Sequence, residues 1–107
     1  MMNKLYHKVN ILAAMEHNEA AKNYGKTFHS VHEGFAVLME ELAEASDEMM
    51  GLEDDAMQDL WCAIREDDAE GAKMAAGGVE RFALLLACEA IQVAAMAKKM
   101  QDSINLD

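Results

Sequence analysis

Residues 30–50 read SVHEGFAVLMEELAEASDEMM, and this stretch decides the fold class. Val31, Phe35, Leu38, Leu42, Ala45 and Met49 recur at intervals of three and four, the period of an amphipathic α-helix. Ser30 and Glu33 have capping-box spacing: the serine hydroxyl accepts from a first-turn N–H while the glutamate reaches back to the cap. Gly51 then permits a stop. Upstream, Leu5, Val9, Leu12 and Met15 predict a helix over residues 3–23 that ends at Gly25. Downstream, Met57, Leu60, Trp61 and Ile64 predict a shorter amphipathic helix within 54–66. Glu66, Asp67 and Asp68 form an acidic entry to a long last helix over 69–100, with Gly77-Gly78 as a kink or close-packing point. The 107 residues contain no proline and few β-branched side chains, so propensity agrees with the periodicity. The expectation is a single all-α domain, 1–107, of four or five helices, in which 52–66 supplies an extra helix.

The charge balance narrows the partners. Twenty acidic residues against nine basic ones give a formal net charge of −11. Such a chain repels nucleic-acid backbones and anionic membranes, and it suits cations or cation-bridged ligands. A phosphorylated small molecule remains compatible, because bound Mg²⁺ reverses the local field. No apolar run approaches the ~20 residues of a membrane span, and the start of the chain lacks the apolar stretch of a secretory signal. A cytoplasmic location is expected. Cys62 and Cys88 lie far apart in apolar helical patterns, which reads as two reduced thiols in or near the core.

The helical reading places the carboxylates. Glu41, Glu44 and Glu48 share one side of the second helix, next to the apolar stripe rather than opposite it. A solvating face would mix lysine with glutamate; this one does not, although an exposed acidic edge is the plain alternative. In the last helix Phe82, Leu85, Leu86, Val93, Met96 and Met100 form a stripe, and Glu89 stands in its middle. A carboxylate there must be protonated, paired with a cation such as a lysine or arginine, or open to a cleft. Packing the two helices through their stripes would bring Glu41, Glu44 and Glu89 together, with Gln92 nearby. Oxygen ligands of this kind suit Mg²⁺ or Mn²⁺ rather than zinc.

Glu40-Glu41-x-x-Glu44 resembles the EExxE signature of the MazG-like all-α nucleoside triphosphate pyrophosphohydrolases. The segments 30–38 and 92–97 look like phage and bacterial members of that family, and the likeness covers about residues 28–100. The resemblance implies an oligomerising helical bundle that binds Mg²⁺ through EExxE and a later ExxD, and that cleaves nucleoside triphosphates to monophosphate and pyrophosphate. Here the later half is Glu89-Ala90-Ile91-Gln92, with glutamine in place of the aspartate. About 44 residues separate Glu44 from Glu89, an interval lengthened by the extra helix. On this reading Glu41, Glu44, Glu89 and Gln92 hold the metal, and Glu40, Glu41 and Glu44 are the catalytic carboxylates. Glu40 or Glu48 takes the proton of the attacking water, and Lys98, Lys99 and Arg81 are candidates to meet the phosphates by charge. A homodimer or homotetramer is implied, with no nucleic-acid or membrane partner.

Two readings from other classes stand beside it: a non-catalytic oligomeric helical protein of phage type on the same scaffold, and a nucleotide-binding regulator. Gln92 favours the former, because an amide oxygen brings no charge and cannot act as a base. His29 and His32 lack a third ligand at zinc spacing, and Trp61 and Phe28 read as core aromatics before they read as base-stacking ones.

Overall fold

A computed structural model describes residues 2–106. It is all-helical, with no strand among the described residues. Helix α1 spans Met2–Tyr24 and ends at Gly25, whose φ of +92° is open to glycine without a Cβ penalty. Helix α2, Val31–Met50, starts where the capping pattern predicts, with the Glu33 N–H donating to Ser30 Oγ at 3.1 Å.

The expected stop at Gly51 does not occur. Residues Gly51–Ala56 continue as a π-helical segment directly into α3, Met57–Arg65, so residues 31–65 form one unbroken helical run. Gly51 has a packing role in place of a terminating one: a Cβ built on it would lie 2.5 Å from Phe82 Cε1. The π turn carries one extra residue through this close approach without breaking the helix. The real stop comes at Glu66, where the Asp67 N–H donates to the Ile64 carbonyl and the Asp68 N–H to the Ala63 carbonyl. Asp67 adopts φ 55°, which completes the Schellman pattern. Asp68 then caps α4, Ala69–Ser103, by accepting from the Gly71 N–H at 2.9 Å.

The chain divides into two compact units: one is the chain up to Leu42 together with the segment from Glu89 onward, the other is Ala43–Cys88. In the first, the Phe28 N–H donates to Ser103 Oγ at 2.8 Å, and that hydroxyl donates to the Lys99 carbonyl at 2.8 Å. Lys99 Nζ lies 4.5 Å from the centre of the Phe28 ring, and His17 Nε2 lies 3.3 Å from Asp102 Oδ2. These ties join α1, the α1–α2 connection and the end of α4. The second unit packs mostly through small residues, with Ala45, Ala56 and Ala63 buried and Gly78 facing the Ala56 methyl.

The periodic apolar stripes do not form the core as expected. Leu5, Leu12 and Met15 of α1 and Phe35, Leu42 and Met49 of α2 are exposed, whereas Ala13, Phe28, Ala45, Ala56, Ala63 and Ala95 are buried. Alanines on neighbouring positions let helix backbones approach closely, and a close approach leaves no room between them for long side chains. Trp61, expected in the core, is 55% exposed, while Phe28 is buried as expected. Both cysteines carry free thiols, as predicted, but both are exposed rather than buried.

Candidate metal centre

Glu41 belongs to the candidate site. It lies on α2 within the first unit, and one of its carboxylate oxygens is within 4.8 Å of an oxygen of Glu89, carried there by α4. Glu44 follows one turn along α2, again with an oxygen within 4.8 Å of that of Glu41. Glu41 and Glu89 are half-buried and Glu44 is exposed, which leaves the group open on one side. Within the first unit, Glu41 and Glu89 are thus brought together.

Sequence and geometry together account for this convergence. Intervals of three residues put Glu41 and Glu44 on one face of α2. Glu89 is half-buried on α4, the helix that also carries buried Ala95 and half-buried Val93 and Met96. The donor set is all carboxylate oxygen, the preference of hard divalent cations. Ligands about 2.1 Å from an octahedral Mg²⁺ lie at most ~4.2 Å from one another, so oxygens as much as 4.8 Å apart would need a small inward rotation or a shared water to hold such an ion. Ionised carboxylates this close repel one another, and a divalent cation relieves that repulsion.

The remaining expected residues are arranged differently. Gln92, one turn beyond Glu89, donates from Nε2 to Glu16 Oε2 of α1 at 2.9 Å. Its amide nitrogen is thus committed to α1, and its oxygen is the atom left to face a ligand. Glu16 is the neighbour that the sequence does not reveal, since nothing in the α1 pattern distinguishes it from other polar-face residues. Glu40 is exposed on α2, and Glu48, half-buried one turn beyond Glu44, stands outside the convergent group.

The basic candidates separate. Lys99 is only 7% exposed with its ammonium against the Phe28 ring, so its charge is spent inside the first unit rather than offered to a phosphate. Lys98 is half-buried beside Ala14, His17, Gln101 and Asp102, and Arg81 is exposed on the α4 segment of the second unit. His29 and His32 are both exposed. No described helix is long and apolar enough to cross a membrane.

No protein-family model, no curated protein and no solved structure matches this chain.

Proposed function

We propose that the chain is a Mg²⁺-dependent nucleoside triphosphate pyrophosphohydrolase of MazG-like type, with Mn²⁺ as an alternative ion. The observation that supports this reading best is the approach of Glu41 to Glu89 from two helices, with Glu44 one turn away. Glu41, Glu44 and Glu89 would hold the ion, with the Gln92 oxygen as a neutral fourth ligand or a partner to its water. When bound, the ion supplies charge neutralisation for the triphosphate and lowers the pKa of the water that attacks it.

The chain's own groups supply the rest. An exposed carboxylate beside the group, Glu40 by its place on α2, takes the proton as water adds to the α-phosphorus. The bond from that phosphorus to the bridging oxygen breaks, and pyrophosphate leaves with the electron pair. Lys98, half-buried on α4 of the first unit, is the candidate left there to meet a phosphate oxygen. A homodimer or homotetramer belongs to the same proposal, supported by the exposed Phe35, Leu42 and Leu84.

A second reading has a specific observation behind it. The hydrogen bond from Gln92 to Glu16 serves a structural purpose without any metal, as expected of a scaffold that binds or assembles without turnover. Incubation with a panel of ribo- and deoxyribonucleoside triphosphates and Mg²⁺, scoring pyrophosphate and orthophosphate separately, decides between them. Pyrophosphate released in step with a nucleoside monophosphate, and lost in Glu41→Gln, is the expected result. Neither product from any triphosphate, by a folded protein with Mg²⁺ or Mn²⁺, would replace the catalytic reading with the scaffold one.

A further inference from the structure

Charge is unequally divided along this chain. Ala43–Cys88 holds twelve carboxylates and three basic side chains, a net −9 of the total −11, so the other unit carries only −2. The opposite extreme is the first half of α1: residues 2–12 contain Lys4 and Lys8 and no acidic residue, and all of them are exposed. Leu5, Val9 and Leu12 form an apolar stripe there, and Lys4 and Lys8 flank it at helical spacing.

The second unit contains the complementary surface. A groove of about 500 Å³ runs between the π segment with α3 and the start of α4. Ala56, Ala63, Ala75 and Phe82, buried or half-buried, make its apolar floor, and the exposed Met74 also lines it. Asp55, Asp59, Glu66 and Asp68 stand along it. An apolar floor bordered by carboxylates fits an amphipathic helix with lysines beside its apolar stripe, the helix-in-groove mode of recognition.

We infer that the first half of α1 of one copy docks in the acidic groove of a second copy, with Leu5, Val9 and Leu12 on the floor and Lys4 and Lys8 against the carboxylates. This docking gives faces to the association proposed above, and it holds whether or not the chain turns over a nucleotide. Charge complementarity supports a second copy as the occupant, because the chain itself carries both the lysine-flanked apolar stripe and the carboxylate-bordered groove. Reciprocal exchange closes the assembly as a twofold dimer. Opposite charges on the two faces also disfavour the wrong pairings, groove to groove and helix to helix.

Sedimentation velocity at micromolar protein tests this, beside a cross-linking measurement. The wild type is expected at twice 11.8 kDa. Lys4→Glu with Lys8→Glu should weaken the dimer roughly 100-fold, and adding Asp55→Lys with Asp59→Lys in the same chain should restore it. In a Cys88→Ser background, Lys8→Cys should form an interchain disulfide with Cys62, which lies in the groove, on mild oxidation. This last readout needs no charge reversal and covers the case in which the multiply charged chain folds poorly. A wild type at 11.8 kDa, a charge-reversed chain that assembles like wild type, a folded charge-swapped chain that stays monomeric, or a disulfide between positions 8 and 62 formed only within single chains would each overturn the proposal.

Discussion

The two units of this chain are held together by different chemistry. In the first, hydrogen bonds, a cation–π contact and a histidine–carboxylate pair connect α1, the segment around Phe28 and the end of α4. In the second, alanine and glycine positions bring helices close, and nearly all the net charge lies at the surface. Directional ties fix side chains at definite positions, as a carboxylate site requires, whereas small-residue packing fixes backbones and leaves the surface free to vary. Under the functions proposed above, the first unit supplies Glu41 and Glu89 as well as the docking half of α1, and the second supplies the groove.

The largest expected effects come from the glycine that each unit uses as a seat. A Cβ at Gly34 would meet Met100 Sδ at 2.5 Å and Phe28 Cδ2 at 2.8 Å, and one at Gly51 would meet the Phe82 ring. Gly34→Val and Gly51→Val should each cost on the order of 2–3 kcal/mol by overpacking, read from urea midpoints. Equal losses would show that both units resist intrusion alike. A much smaller loss at Gly51 would mean that the alanine-packed unit yields more easily.

Next in size are the polar ties. Ser103→Ala removes the acceptor of the part-buried Phe28 N–H and should cost about 1–2 kcal/mol. Asp68→Ala removes the α4 cap and should cost about 1 kcal/mol. Thermal melts of the two variants compare one directional tie from each unit, and a neutral Ser103→Ala would weaken the contrast between the units.

A subtler effect belongs to Gln92. Gln92→Asp replaces a donor to Glu16 by a carboxylate, so without metal it adds repulsion beside Glu16 and Glu89 and lowers stability by a few tenths of a kcal/mol to about 1 kcal/mol. With Mg²⁺ bound the added charge is neutralised, and apparent Mg²⁺ affinity rises. Urea melts with EDTA and with excess Mg²⁺ separate the cases: the same destabilisation in both means that no ion sits beside residue 92.

Much of this architecture is legible in residue spacing. The ends of α1, the start of α2 at Ser30 and the start of α4 after Asp68 follow from caps and helical periods. Local rules fail where long-range packing decides. Gly51 reads as a helix stop, but the Phe82 ring, 31 positions further on, makes it a contact point, and the helix continues through a π turn. Burial follows the alanines rather than the leucine and methionine stripes, because periodicity marks an apolar face without saying whether the same chain covers it. Lys99 reads as a phosphate contact by charge alone, and its pairing with Phe28 requires the ends of two distant segments to meet.

The central claim, that Glu41, Glu44 and Glu89 form a divalent-cation site, is tested most directly by titrating Mg²⁺ and Mn²⁺ into metal-free protein, with thermal melts in parallel. Saturable binding and a rise in Tm are expected for the wild type, both abolished in Glu41→Gln/Glu89→Gln while that variant keeps its helix content. A wild type that neither binds nor gains stability at millimolar Mg²⁺ or Mn²⁺, or a variant that responds as the wild type does, would contradict it.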